Sequence, residues 1–171
     1  MRVIFMGTTP FSCVVLQCLL DDDYDVVAVV TQPDRPFGRK KELKASPVKE
    51  MALKHGIAVL QPESIKKEAQ SVLDFNADLL VTCAYGQIVP KIILDAPKYL
   101  CLNVHASLLP KCRGGALSHG SRIRGEKDTG VTLMRMDPGM DSGGVLASQT
   151  GSIEADDIMS DVEAKLMEAS K

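Results

Sequence analysis

The chain has 171 residues, of which 45% are hydrophobic and 25% charged, and its formal net charge at pH 7 is −2. This apolar content excludes a largely disordered chain, and the length supports one sizeable hydrophobic core. The net charge gives no overall sign of a nucleic-acid binder, and no apolar run reaches the roughly 18 residues that a membrane-spanning helix needs. We therefore expect a soluble, cytoplasmic protein that does not contact a membrane.

The cysteines give no sign of a metal site or a disulfide framework. They form no Cys-x-x-Cys pair and no Cys/His cluster with zinc spacing, and they lie at Cys13, Cys18, Cys83, Cys101 and Cys112. Their number is odd, so they cannot all be paired in disulfides. A free cysteine behaves as a small apolar residue and is often buried. We expect reduced thiols, mostly buried, and no bound metal.

Short apolar runs alternate with helical patterns from the start of the chain. Arg2–Met6 and Val26–Val30 predict buried strands, and the apolar spacing between them predicts a helix capped by Thr9 or Ser12. The elements predicted after these are, in chain order, a helix from Ser46-Pro47 to His55, a strand Ile57–Leu60, a helix Ser64–Phe75, a strand Leu79–Ala84, a helix Ile88–Leu94, a strand Leu100–His105, a helix Ala116–Arg124, the strands Val131–Met136 and Val145–Gln149, and a helix Asp157–Ala169. This alternation predicts an α/β fold, a Rossmann-like open and mostly parallel sheet with helices on both faces.

A segment rich in proline and charge, about residues 32–45, separates the second strand from the second helix. Six basic residues lie between Arg35 and Lys49, against the single acid Glu42. The composition predicts a long exposed loop. A charge run of this kind is usually only a solvated loop.

The loop after the first strand bears on which ligands the chain could bind. Its sequence, Gly7-Thr8-Thr9-Pro10, lacks the G-x-G-x-x-G pattern, which argues against a dinucleotide site. A helix N-terminus at this place could still hold one anion.

Asn103 and His105 form the sharpest chemical pattern in the sequence. They lie two residues apart at the end of a predicted strand, so their side chains face the same way. An amide can donate to a developing oxyanion, and an imidazole can transfer a proton near neutral pH. Asp137 or Asp141, in a glycine-rich loop after the next strand, could orient the imidazole. From spacing alone, a turn-forming Asn103, a strand-end His105 and a turn residue Asp141 fit equally well.

The residues around this pattern resemble a known family. Leu102–Pro110 (Leu-Asn-Val-His-Ala-Ser-Leu-Leu-Pro), followed by Lys111–Gly115, resembles the formyltransferases that use 10-formyltetrahydrofolate. Thr31–Lys41 narrows the resemblance to the methionyl-tRNA formyltransferase family. Further support comes from Ser46–Lys49, Gln61-Pro62, Ala84–Pro90, Thr129–Thr132 and Met140–Gly143. The resemblance covers essentially the whole chain. It implies the formyltransferase fold over one catalytic domain, residues 1–171, with the loop at about 32–45 inserted and the family's C-terminal tRNA-binding barrel domain absent.

The resemblance also implies an activity and a set of site residues. The activity is transfer of a formyl group from 10-formyltetrahydrofolate to the amino group of methionyl initiator tRNA, for translation initiation. Asn103 and protonated His105 would stabilise the oxyanion of the tetrahedral intermediate, with His105 also transferring protons, and Asp141 would set the orientation and charge of the imidazole. The folate positions implied are the turn of Ser107, Leu108, Leu109 and Pro110, and the backbone around Gln87, Ile88 and Val89. The positions implied for the tRNA acceptor stem are Arg39, Lys40 and Lys41. We expect a monomer and no metal.

Two alternative functions stay open at the level of sequence. A formyltransferase acting on a small amine, such as glycinamide ribonucleotide or an amino-sugar nucleotide, would share the catalytic trio, although the segment Gly38–Lys41 favours tRNA. The other alternative is a truncated domain that binds folate or tRNA with little turnover.

Overall fold

The computed structural model describes residues 1–37, 42–108, 128–138 and 143–152. The helices predicted at Ala116–Arg124 and Asp157–Ala169 lie outside these ranges. The chain divides into two compact units, Met1–Cys101 and Leu102–Lys171. Within the described ranges, no helix is both long enough and apolar enough to cross a membrane.

Within the described residues, the main sheet has seven strands, four of which lie in the first unit. The elements of that unit are β1 (Arg2–Gly7), α1 (Pro10–Asp21), β2 (Asp25–Val30), β3 (Arg35–Phe37), β4 (Glu42–Lys44), α2 (Pro47–Lys54), β5 (Ala58–Leu60), α3 (Ala69–Leu73), β6 (Leu79–Cys83) and α4 (Lys91–Leu94). Four strands run parallel in the order β5-β2-β1-β6. Met6 of β1 pairs with Val30 of β2 and Thr82 of β6, so these three strands end at nearly the same level. This confirms the predicted α/β class and the parallel pair β1-β2.

The core of the first unit follows from the uninterrupted apolar runs of its strands. Val3, Phe5 and Met6 on β1 and Val30 on β2 are fully buried. Because consecutive residues of a strand face opposite sides of the sheet, unbroken burial requires cover on both faces. Helix α1 packs against β1, β2 and β6 and also against α2.

The helix ends of this unit follow from capping side chains. Thr9 caps α1, and its hydroxyl accepts a bond from the backbone N–H of Ser12, in a reciprocal capping box. Ser46 caps α2 by accepting from the N–H of Lys49 at 3.0 Å. His55 is the C-cap residue directly after α2, which confirms its predicted place at a helix end.

Two helices are shorter than the sequence predicts. The predicted helix Ser64–Phe75 is helical only over Ala69–Leu73. Its first part forms a separate turn, in which the Ile65 N–H donates to the side chain of Gln87 at 2.9 Å. The predicted helix Ile88–Leu94 begins only at Lys91, with Pro90 as its N-cap. The helical conformation is disfavoured for a residue that precedes proline, which explains the later start.

The prediction of a plain loop over residues 32–45 is wrong in part. Within it, β3 and β4 form an antiparallel ribbon in which Arg35 pairs with Lys44, Pro36 with Leu43 and Phe37 with Glu42. Residues 38–41 lie outside the described part of the chain. The segments that flank the ribbon are joined by a hydrogen bond between the hydroxyls of Thr31 and Ser46. This bond holds the two short strands within pairing distance.

The second unit contributes antiparallel strands. They are β7 (Cys101–His105), which begins at the unit boundary, β8 (Asp128–Arg135) and β9 (Val145–Ser152). Their order is β7-β8-β9. All three predicted strands are confirmed. Strand β8 begins earlier and β9 ends later than predicted, because pairing between them continues to the Asp128–Ser152 pair.

Candidate active site

Strand β7 brings Asn103 and His105 together as predicted. Both lie on this five-residue strand, two positions apart, so their side chains share one face. Asn103 pairs across the ladder with Met134, and His105, the last residue of the strand, with Thr132. His105 is only 8% exposed. The dielectric around a largely buried imidazole is low, which strengthens the hydrogen bonds that it makes.

The turn after β7 is held firmly against β8. The N–H of Ser107 donates to the carbonyl of His105 at 2.8 Å. The buried hydroxyl of Thr132 donates to the carbonyl of Ser107 at 2.7 Å. Ser107, predicted to lie along the folate, is itself 2% exposed. Thr132 was not among the predicted site residues, although it lies in a segment that carries the family resemblance and places a hydroxyl at a buried strand position.

The adjoining position, Leu108, depends on a glycine of β8. A Cβ atom added at Gly130 would lie 2.6 Å from Cδ2 of Leu108 and would overlap the carbonyl oxygen of Gln149. Only glycine therefore fits between β9 and Leu108. The other residues of this predicted turn, Leu109 and Pro110, lie outside the described residues.

Asp141 lies outside the described residues, as do Arg39, Lys40 and Lys41. The ends of the loop that carries Asp141 are defined. Arg135 at the end of β8 donates its N–H to the carbonyl of Gly144 at 2.9 Å. A Cβ at Gly143 would overlap the carbonyl oxygen of Arg135, so a glycine is required where the chain returns towards β9.

In the first unit, the residues that follow β1, β2 and β6 are hydrogen-bonded to one another. The hydroxyl of Thr8 donates to the carbonyl of Tyr85 at 2.8 Å and accepts from the N–H of Gln32 at 3.3 Å. The side chain of Gln32 donates to the same Tyr85 carbonyl at 3.2 Å. Since ligands bind at the carboxyl ends of parallel strands, this network stiffens the edge at which a ligand is expected.

In the predicted folate segment Gln87–Val89, the side chain of Gln87 is hydrogen-bonded, whereas the backbone is not bonded to any described residue. The side-chain oxygen of Gln87 accepts from the N–H of Ile65 at 2.9 Å, and its nitrogen donates to the carbonyl of Pro62 at 3.2 Å. Among the described residues, the backbone N–H and C=O groups of residues 87–89 have no hydrogen-bond partner. Ile88 is 78% exposed, whereas Val89 is buried. Unpaired backbone groups at this edge are suited to a planar ligand with alternating donors and acceptors.

The N-terminus of α1, considered above as an anion site, already uses its donors internally. The hydroxyl of Ser12 accepts from the N–H groups of Thr8 and Thr9, at 3.2 Å in each case. The same hydroxyl donates to the carbonyl of Cys83 at 2.6 Å, and Pro10 has no N–H. The backbone N–H groups of Thr8 and Thr9 are therefore not available to an anion.

Four of the five cysteines lie in the described residues, and all four are free thiols, as predicted. Cys83 and Cys101 are buried, whereas Cys13 and Cys18 are only partly buried. Burial raises the pKa of the Cys83 thiol to about 12, and burial raises that of Cys13 as well. In the described part of the chain, no group of three or more His, Cys, Asp or Glu side chains is arranged to hold a metal ion.

Comparison with known proteins matches the entire chain to one family. A family model described as formyl transferase matches residues 1–171. The methionyl-tRNA formyltransferase of Bacillus subtilis strain 168 is 53% identical over 167 residues, which are 96% of this chain and 53% of that protein. The chain thus spans about half the length of the curated relatives it matches.

Solved structures agree on the fold at lower identity. The phosphoribosylglycinamide formyltransferase from Bacillus halodurans superposes with a TM-score of 0.83 at 22% identity, covering 99% of this chain and 89% of that one. A sugar 3N-formyl transferase, crystallised in the presence of dTDP and 5-N-formyl-THF, gives 0.72 at 20% identity and covers 98% of this chain and 58% of that one. The predicted formyltransferase fold is thereby confirmed. Together with the family model that spans residues 1–171, it establishes that the chain belongs to the formyl transferase family.

Proposed function

We propose that this chain transfers a formyl group from 10-formyltetrahydrofolate to the amino group of methionyl initiator tRNA, in the cytoplasm and as a monomer. The observation that carries the proposal is the 53% identity to the Bacillus subtilis methionyl-tRNA formyltransferase over 96% of this chain. The small-amine enzymes resemble the chain at only 22% identity or less among the structures compared, which supports a shared fold and not a shared acceptor.

In the proposed reaction, the neutral amine of the methionyl ester attacks the formyl carbon and forms a tetrahedral intermediate. The bond from that carbon to N10 of the folate then breaks, the amine loses one proton, and N10 gains one. Asn103 donates its amide N–H to the oxyanion, and protonated His105 adds a charged donor. The shared face of the two side chains on β7 supports these roles.

Asp141 is proposed to favour the protonated imidazole and to fix its orientation. A carboxylate close to an imidazole stabilises the imidazolium, because opposite charges at short distance favour the ionised forms. The close approach of Gly143 to the carbonyl of Arg135 fixes the point at which the chain returns to β9 after this loop.

The folate substrate is proposed to bind to the turn Ser107–Pro110 and to the backbone of residues 87–89. The unpaired backbone groups of the second segment support hydrogen bonding to the pterin ring. The bond from Thr132 to Ser107 and the close approach of Leu108 to Gly130 support preformed positions for these two residues. Preformed contacts reduce the entropy lost when a ligand binds.

Arg39, Lys40 and Lys41 are proposed to contact phosphates of the tRNA acceptor stem. The chain carries six basic residues between positions 35 and 49 against one acid, although its net charge is −2. Such a local excess of positive charge gives an affinity that falls steeply with salt concentration.

A competition between acceptors tests the proposed function. Purified protein is supplied with formyl-labelled 10-formyltetrahydrofolate and equal concentrations of methionyl initiator tRNA and glycinamide ribonucleotide. We expect label to accumulate on the methionyl ester. Label on glycinamide ribonucleotide alone would show that the acceptor is a small amine, and no transfer to either would contradict catalysis by this chain.

A further inference from the structure

The ribbon formed by β3 and β4 is joined to the rest of the first unit at a well-defined base. Its incoming segment follows β2, and its outgoing segment leads into α2. The hydroxyls of Thr31 and Ser46 are hydrogen-bonded across this base at 2.6 Å, and both residues are buried. Two strands of three residues are not stable alone in water. The direction in which the ribbon leaves the sheet therefore has to be set by contacts at its base.

Asp34, directly before β3, makes two further contacts at this base. One carboxylate oxygen accepts from Nζ of Lys49 on α2 at 2.6 Å, and the other accepts from the side-chain nitrogen of Gln61 at 2.7 Å. The same nitrogen of Gln61 donates to the carbonyl of Gln32 at 3.0 Å. Asp34 thus ties the incoming segment both to α2 and to the segment after β5.

The environment makes this ion pair stronger than an ordinary surface pair. The side chains of Lys49 and Asp34 are 22% and 31% exposed, and the ammonium of Lys49, followed by the amide of Gln61, holds the pKa of the Asp34 carboxyl below its usual range. The neighbouring pair of Arg35 and Glu63 has an N–O distance of 3.9 Å, and its side chains are 65% and 74% exposed. Exposed pairs of that kind contribute little, since water and salt screen them.

We infer that Asp34 is a positioning residue for tRNA binding: by holding Lys49 and Gln61 it fixes the direction of the ribbon that carries Arg39, Lys40 and Lys41. The inference rests on the proposed function, which assigns tRNA contacts to those three residues. Asp34 itself is an acid and would repel phosphate, so it acts through the ribbon and not by contact with tRNA. The KM for tRNA depends on Asp34, whereas folate binding and the chemical step do not.

The test compares Asp34→Asn with Glu63→Gln in the same chain, since each substitution removes one negative charge from the same region. General electrostatics predicts equal or tighter tRNA binding for both variants. Asn has one side-chain oxygen for two donors, so Asp34→Asn breaks one of the bonds at the base of the ribbon. We expect its KM for methionyl tRNA to rise about tenfold, with kcat and the KM for 10-formyltetrahydrofolate unchanged, because a charge-assisted bond is lost. Glu63→Gln should leave all three parameters unchanged.

A second variant and a combined variant distinguish a failure of the positioning role from a failure of the proposed tRNA contacts. Gln61→Leu removes the other donor without any change of charge and should also raise the KM for tRNA. In a background in which Arg39, Lys40 and Lys41 are alanine, Asp34→Asn should have no further effect. Additive effects there, or a KM for Asp34→Asn at or below that of the wild type, would overturn the positioning role alone. If the triple alanine variant binds tRNA like the wild type, the tRNA role of the loop is wrong and the positioning role falls with it.

Discussion

Gln87 offers a sharp test of how the folate segment is held, because its side chain and its backbone have separate tasks. Replacing Gln87 with leucine keeps a side chain of similar size but removes the bonds to the Ile65 N–H at 2.9 Å and the Pro62 carbonyl at 3.2 Å. A third contact, to the side-chain oxygen of Gln32 at 3.5 Å, is too long to contribute much.

The magnitude follows from the two good bonds. Each is part-buried, so its loss costs about 1 kcal/mol, and together they lower the free energy of unfolding by about 2 kcal/mol. For a chain of this length that corresponds to a fall in Tm of about 4–8 °C. Since the backbone of residues 87–89 loses its anchor, affinity for a non-transferring 10-formylfolate analogue should fall by about threefold to tenfold.

Thermal unfolding followed by circular dichroism gives the first value, and calorimetric titration with the analogue gives the second. Gln17→Leu is the matched control. The Gln17 side chain donates to Asp21 at 2.7 Å on the exposed surface of α1, so its loss should change stability by less than about 0.5 kcal/mol. If Gln87→Leu melts and binds like Gln17→Leu, the hydrogen bonds of Gln87 do not hold the segment, and the reasoning is refuted.

Three further predictions concern packing and ionisation. Gly130→Ala should lower the free energy of unfolding, measured with denaturant, by more than about 2 kcal/mol, because its Cβ would press on Leu108. Gly151→Ala is the control and should leave it unchanged, because a Cβ there has no atom within 4 Å. Equal effects of the two substitutions would contradict this prediction. Tyr85→Phe should raise stability by about 1 kcal/mol, because the Tyr85 hydroxyl is buried with no partner among the described residues; a loss would reveal one. Burial raises the Tyr85 pKa to about 12, so between pH 10 and pH 12 the stability of the wild type should decline more steeply than that of the variant, in which the raised pKa values of Cys83 and Cys13 still contribute. Cys83 should resist alkylation in the native protein at pH 8, because with a pKa of about 12 only about one thiol in 10⁴ is ionised; rapid labelling would refute its burial.

The parts of the fold that the sequence predicts well are those set by neighbouring residues. The run Arg2–Met6 needs only its own apolar side chains to indicate a buried strand, and Thr9 and Ser46 cap helices through N–H groups three residues away. The common face of Asn103 and His105 follows from strand periodicity alone.

The features that escaped prediction depend on partners distant in the chain. The ribbon of β3 and β4 needs the link between Thr31 and Ser46, which are 15 residues apart. The turn that shortens α3 uses the side chain of Gln87, 22 residues beyond Ile65. Thr132 supports Ser107 from another strand, 25 residues away. A local sequence pattern does not predict hydrogen bonds between residues so far apart in the chain. The roles of Asn103, His105 and Asp141 in the reaction stay predictions.

A single-turnover transfer experiment tests the central claim most directly. Wild type and His105→Asn, each saturated with formyl-labelled 10-formyltetrahydrofolate, are mixed with methionyl initiator tRNA, and label on the methionyl ester is followed in time. Binding of the non-transferring analogue, measured in parallel, shows whether the variant keeps its folate site. We predict that His105→Asn binds the analogue like the wild type but transfers the formyl group at least about 10²-fold more slowly, as expected when a general acid–base group is removed. Equal transfer rates would contradict the account and remove His105 from the reaction.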